Sequence, residues 1–272
     1  MAEHRQLNIY LLRHGECEGG EIIRGRSDVA LSDEGKAQMW RSWRAISSEL
    51  EQLPSQPERL ALLSSPAQRC QAFAAELKAD MPDYFPAPLQ QHDWLWELDF
   101  GDWDGMKVAS VYQQHSEAAK AFWRDPVANT PPGGESLPAF RSRVLDGWQT
   151  MVQRWLAREA NSSEGSGSKG SGSKGSGLQG SGLQDSGSKG SVSGDSGSSA
   201  SADAALILTH SGVIRLLLAE ILLPGQMPPA AVFNALELPY AAWVRITLYA
   251  SRDTSGESDQ EWQCFSKLHW PQ

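Results

Sequence analysis

The chain is short of positive charge. Its 24 Lys and Arg are outnumbered by 33 Asp and Glu, for a formal charge of −9 and a pI near 5.2. Such a balance argues against nucleic-acid binding through a basic face, so any anionic ligand has to meet a local basic pocket. Cysteine is equally scarce. Cys17, Cys70 and Cys264 lie far apart, in no CxxC or Cys/His ligand spacing, which argues against a disulfide scaffold or structural zinc site and suits a reducing compartment. Long apolar runs are missing too. No stretch approaches the ~20 apolar residues of a membrane span, and the opening MAEHRQLNIYLLRHG has too short an apolar run for a signal-peptide core. The expectations are a cytoplasmic location, no membrane and no nucleic-acid partner. With 40% apolar residues in a 272-residue chain, core-forming material is ample.

One segment has almost nothing apolar. Residues 161–203 are dominated by Gly and Ser, with GSGSK and GSGLQ each repeated. That composition buries too little surface to offset ordering entropy, so the segment is predicted disordered. It is expected to interrupt one domain spanning 1–272 rather than to join two, because the stretch from Ala204 onward is too short to fold alone. Lengthening a loop from about 5 to about 43 residues costs only about 2 kcal/mol by the logarithmic closure law.

Elsewhere strands and helices alternate. Leu7–Leu12 reads as a buried strand running into Arg13-His14-Gly15. A helix comes next with Ser32 as N-cap and Asp33 and Glu34 on the positive end of its dipole, its core side carried by Ala37, Trp40, Trp43 and Ile46 or Leu50. Arg59–Leu63 is a second strand, and Ser64-Ser65-Pro66 reads as a helix start. Ser136–Arg158 forms a long helix capped by Ser136, Ala204–Leu208 a third strand, and Val213–Leu222 a helix. Tyr240–Tyr249 and Glu261–Leu268 are further strands, predicted antiparallel. The fold expected is a three-layer α/β/α sandwich with a mostly parallel mixed sheet.

Three times a buried strand ends in a short polar turn before a helix. The turns carry Arg13-His14-Gly15-Glu16, Ser64-Ser65 with Arg69 a turn later, and Thr209-His210-Ser211-Gly212. Ligands of open α/β sheets bind beyond the carboxyl ends of strands, so the turns should converge. Two arginines, two histidines and the free N–H groups of a helix start make a site for a tetrahedral oxyanion such as phosphate. A metal between the imidazoles is disfavoured by guanidiniums that are always charged, and HExxH spacing is lacking. A neutral imidazole held by one ring nitrogen is a competent nucleophile through the other. His14 is the candidate for phosphoryl transfer through a phosphohistidine, with Arg13, Arg69, His210 and Ser211 holding the phosphoryl oxygens. Glu97, between Trp96, Leu98 and Phe100, is the candidate proton donor, since burial among them favours the neutral carboxyl. Asp99, Asp102 and Asp104 read as solvated or turn-forming. Arg24 and Arg26, in the loop after the nucleophile, and Trp96 are candidates for the distal part of a substrate. Trp94, Trp96 and Trp103, among 11 tryptophans, are expected around Glu97, packing as a lid or stacking on an aromatic base.

These blocks together resemble the histidine phosphatase superfamily, in its cofactor-dependent phosphoglycerate mutase-like branch. The matching segments, in order, are Leu12-Arg13-His14-Gly15-Glu16, Leu31-Ser32-Asp33-Glu34-Gly35, Leu95-Trp96-Glu97 through Gly105, and Thr209 through Arg215, with Ser64–Arg69 between the second and third. The resemblance implies phosphorylation of His14, phosphate held by Arg13, Arg69 and His210, proton donation by Glu97, no cofactor and no metal. Cys17 stands where the family commonly has Thr, and Gly20 where it has an Asn close to the phosphate. Pro131–Ser136, Phe140, Arg143-Val144 and Leu238–Trp243 look most similar to α-ribazole-5′-phosphate phosphatases. The function expected is therefore a metal-independent phosphatase acting on a small phosphorylated metabolite, with α-ribazole 5′-phosphate the leading candidate. Phosphoglycerate mutase, protein phosphohistidine or phosphoserine phosphatase, and an inactive binding module are the alternatives. Oligomeric state is not legible in the sequence.

Overall fold

The computed structural model describes residues 2–53, 60–158, 204–228, 230, 235–253 and 261–271. The Gly/Ser-rich segment 161–203 and Arg59 lie outside these residues. Six strands form one sheet: β1 (Ala2–Arg13), β2 (Leu60–Ser64), β3 (Gln90–Gln91), β4 (Ala204–Thr209), β5 (Trp243–Asp253) and β6 (Gln263–His269), in the order β3-β2-β4-β1-β5-β6. β3, β2, β4 and β1 run parallel, whereas β5 and β6 are antiparallel. The first strand is longer than its apolar run suggests, because its polar start pairs with β5 from Ala2↔Asp253 onward.

The central strands are buried on both faces, as parallel strands between helices must be. Leu7, Ile9 and Leu11 of β1 enter one core, with Ala205 and Ile207 of β4; Tyr10 and Leu12, with Leu206 and Leu208, enter the other. The second core is covered by α1 (Asp33–Glu51) and α2 (Gln68–Asp80). The first is covered by α5 (Leu137–Arg158) and α6 (Ser211–Leu222), with α3 (Val108–Gln114) and α4 (Ser116–Arg124) contributing Val111, Ala119 and Phe122. The result is an α/β/α sandwich. Among the described residues no helix is long and apolar enough to cross a membrane.

Caps behave as their chemistry dictates. Ser32 Oγ accepts from Gly35 N at 3.0 Å, and Ser136 Oγ accepts from Ala139 N at 3.3 Å, each satisfying an orphan donor of a first turn. The buried side of α1 is Gly35, Met39, Trp43, Ile46 and Leu50; Trp40 packs on the margin of that core, edge to face with Phe73 at 5.3 Å, and Ala37 is half-buried. Two boundaries differ from expectation. α2 begins at Gln68 rather than at Pro66, because Ser65 N is still bonded to Leu208 O of β4 and Ser65 Oγ accepts from Ala67 N. β5 begins at Trp243 rather than Tyr240, because Pro239–Ala242 forms a turn in which Ala241 has φ 56°.

Candidate active site

The sheet register brings the three polar turns side by side. Arg13 of β1 stands opposite Thr209 of β4, and Leu208 opposite Ser64 of β2. His14 N donates to Thr209 O at 3.0 Å and Ser65 N donates to Leu208 O at 2.9 Å, so the backbones stay stitched past the strand ends. The ring centroids of His14 and His210 are 5.3 Å apart, edge to face.

His14 Nδ1 lies 2.8 Å from Gly15 O. A carbonyl can only accept, so the contact fixes the proton on Nδ1 and leaves Nε2 with a lone pair. Burial, then the charges of Arg69 and Arg13, holds the imidazole well below the usual histidine range. His210 is depressed in the same way, first by burial and then by Arg69, with His14 and Arg13 adding. His210 Nε2 is 2.8 Å from Ser65 Oγ, which is why the delayed start of α2 matters: Ser65, held to Leu208 O by its N–H, reaches the residue that follows β4.

Arg69 is fully buried, its guanidinium donating to Ser27 O at 2.8 Å and Gly25 O at 2.9 Å. Arg13 donates to Leu238 O and lies 4.4 Å over the Tyr240 ring. Among the described residues, buried Nε of Arg13, Arg24 and Arg69, and Nδ1 of His210, have no hydrogen-bond partner. Buried polar atoms are seldom left so, and an oxygen-rich anion is the chemistry that matches them.

Glu97 is 7% exposed. Its Oε2 accepts from Gly212 N at 3.0 Å and its Oε1 from Leu98 N at 2.9 Å, which sets the carboxyl at the N-terminus of α6. A Cβ on residue 212 would stand 2.1 Å from Glu97 Oε1, so only glycine lets the acid come this close. The segment carrying Glu97 is clamped from behind. Arg143 of α5 donates to the carbonyls of Asp93, Trp94 and Trp96 and pairs with Glu135 at 2.8 Å. Asp104 proves to be an organiser of the loop across the site: its carboxylate accepts from the amides of Gly25, Arg26, Ser27 and Phe100.

A pocket of about 270 Å³ opens here, lined by Arg13, His14, Arg24, Glu97, Ser211, Arg215 and Tyr240 on its polar side. Arg69 and His210 are buried beside His14. Arg26 and Trp96 are arranged differently. The guanidinium of Arg26 lies 5.0 Å over the Trp96 ring and 3.9 Å from Asp99, so the two residues pair with each other and Arg24 lines the pocket instead. The three tryptophans do not gather round Glu97 as one group. Trp103 is fully buried against Phe122, Trp94 packs on Gly147 of α5, and Trp96 lies under Arg26.

Tyr240 is the residue that sequence reasoning missed. The turn at Ala241, whose N–H donates to His14 O at 3.1 Å, turns Tyr240 back until its ring is 5.9 Å from that of His14. The only signal was its place in the Leu238–Trp243 stretch. Arg24 was singled out with Arg26 in the loop after the nucleophile and does line the pocket, whereas Arg215 carried no signal beyond its position in a matching block. Among the described residues no group of three or more His, Cys, Asp or Glu gathers as a metal cluster.

Comparison with known proteins bears on the family and the fold. Residues 9–160 match the family model of the histidine phosphatase superfamily, branch 1. A 2,3-bisphosphoglycerate-dependent phosphoglycerate mutase of Bartonella quintana is 30% identical over 55% of this chain and 70% of its own. A bifunctional protein of Mycobacterium tuberculosis is 30% identical over 53% of this chain; the match spans 37% of that relative's length. Among solved structures, a mycobacterial glucosyl-3-phosphoglycerate phosphatase bound to inorganic phosphate superposes with a TM-score of 0.58 at 20% identity, covering 98% of this chain and 97% of the other. The α-ribazole phosphatase of Shigella flexneri gives 0.57 at 20% identity, covering 97% and 96%. At such identity these structures speak to the fold.

Proposed function

The chain belongs to branch 1 of the histidine phosphatase superfamily, and on that premise we propose that it is a metal-independent phosphomonoesterase working through a phosphohistidine at His14. The observation that carries this reading is the Nδ1 contact to Gly15 O. It leaves Nε2 of a neutral ring as the nucleophile, beside two guanidiniums that favour a dianionic phosphoryl group.

In the first step Nε2 attacks phosphorus, the P–O bond to the substrate alcohol breaks, and Glu97 gives the leaving oxygen its proton. In the second, the Glu97 carboxylate takes a proton from water as that water attacks the phosphohistidine. The P–N bond breaks and inorganic phosphate departs. Arg13, Arg69 and His210 stabilise the equatorial oxygens in both steps, and Ser211 offers the first N–H of α6. The residues on either side of segment 161–203 serve one catalytic domain on this reading, since β4, which comes after that segment, lies between β1 and β2.

The test is phosphate release from a panel of phosphomonoesters that includes α-ribazole 5′-phosphate, the substrate class named by one of the structural neighbours. Turnover should persist in chelator, and acid-labile, base-stable phosphate should be trapped on the wild type and not on His14→Gln. Loss of activity on chelation, or an adduct that survives His14→Gln, would overturn the mechanism. The mutase relatives favour a second reading, phosphoglycerate isomerisation. Isomerised sugar acid, formed from 3-phosphoglycerate with a bisphosphate primer and without steady phosphate release, would select it.

A further inference from the structure

One wall of the pocket is apolar. Ile22, Phe100, Val108, Phe122 and Trp123 line it. Phe122 and Trp123 meet edge to face at 4.9 Å, and Phe100 stands 6.0 Å from Phe122 and 6.3 Å from Trp123, so the rings form one aromatic corner. Val108 and Trp123 are each 38% exposed. Large apolar side chains left wet at the mouth of a polar pocket are the mark of a binding surface.

The cations near this wall are already engaged. Arg24 donates to the carbonyls of Cys17, Glu18 and Gly20. Arg215 donates through Nε to Leu236 O at 2.8 Å and interacts electrostatically with Glu97. A second anionic group on the substrate would thus compete with backbone carbonyls for Arg24 and Arg215, beside the Glu97 carboxyl and hydrocarbon.

We infer that the preferred substrate, on the phosphomonoesterase reading above, is an ester whose alcohol carries an apolar or flat aromatic group beyond the phosphate oxygen. Trp123, Phe100 and Val108 set that preference. The phosphoryl end is held by the polar floor and contributes equally for every ester. Discrimination then comes from the desolvated ring against the aromatic corner.

Three primary alkyl esters match leaving-group acidity while varying the tail: 2-phenylethyl phosphate, glycerol 1-phosphate and 3-phosphoglycerate. The full chain should hydrolyse the phenylethyl ester with kcat/KM on the order of 100-fold above glycerol 1-phosphate, the scale expected for burying one phenyl ring. Trp123→Ala and, separately, Val108→Ser should each shrink that ratio, Trp123→Ala by about 10-fold, through KM for the phenylethyl ester. Circular dichroism and thermal melts confirm that each variant is folded before its ratio is read. A ratio near one in the wild type, a preference for 3-phosphoglycerate, or a ratio unchanged in both folded variants would overturn the inference. Absence of turnover on all three esters together with no phosphate on His14 would instead overturn the phosphomonoesterase reading.

Discussion

Lowering the pH from 7.5 to 5.5 should destabilise this chain through His14 and His210 in particular. His14 is 5% exposed and His210 fully buried. Burial, reinforced by Arg69 and Arg13, holds both imidazoles well below the usual histidine pKa. In the unfolded chain an imidazole titrates near ~6.5. The unfolded state therefore binds more protons than the folded one as pH falls past that value. The linkage makes stability rise with pH in this window, complete above ~6.5 and lost on acidification toward the depressed folded pKa. Between pH 7.5 and 5.5 an unfolded imidazole goes from about 10% to about 90% protonated, worth about 1.4 kcal/mol, so the ceiling for the pair is about 2.7 kcal/mol. Urea unfolding of the wild type and a His14→Gln/His210→Gln double variant at both pH values isolates this contribution. His92 and His269, also lowered chiefly by burial, are common to both proteins and cancel in the difference. The wild type should lose up to about 2.7 kcal/mol more than the variant. Equal losses would refute the burial of two neutral imidazoles in one site.

The remaining predictions concern the groups that position the chemistry. Gly212→Ala drives a methyl into Glu97 Oε1. Turnover of an alkyl phosphate should fall by about 100-fold, the scale of a lost general acid, while a nitrophenyl ester, whose leaving group needs no proton, falls far less; equal falls would remove Glu97 from that role. Asp104→Ala orphans the four amides that its carboxylate gathers and should cost about 3 kcal/mol in urea unfolding, as amides bonded to a charged acceptor do. A change below about 0.5 kcal/mol would mean the loop is held otherwise. Gly20 has φ 68° with open space at its Cβ position, and Asn tolerates that backbone region. Gly20→Asn should tighten competitive inhibition by inorganic phosphate by about 3- to 10-fold, the worth of one added hydrogen bond to an anion; weaker inhibition would place residue 20 away from the phosphate.

The strand and helix content was legible because it rests on short-range patterns. Buried runs such as Leu7–Leu12 and Ala204–Leu208, and caps such as Ser32 and Ser136, announce themselves within a few residues. The departures came from contacts between distant segments. The first polar residues of β1 are strand because β5 pairs with them, and α2 starts late because Ser65 bonds to His210 instead of capping a helix at Pro66. Tyr240 was hidden because its position depends on a left-handed turn at Ala241 bonded to His14, at the other end of the chain. The tryptophans misled for a related reason: proximity in sequence to Glu97 says nothing about which face of a loop each ring takes.

The sequence by itself determined the kind of site, since a nucleophilic imidazole, guanidiniums and strand-end turns are properties of residue type and local order. Only the tertiary structure decided which groups share the pocket. Charges such as Arg24, Arg26 and Arg215 are equivalent as letters; the Trp96 ring and the Asp99 carboxylate engage the Arg26 guanidinium, while Arg24 lines the pocket. The apolar wall is likewise a product of packing, because Phe100 meets the adjacent Phe122 and Trp123 of α4 only when that helix packs against the Glu97 loop.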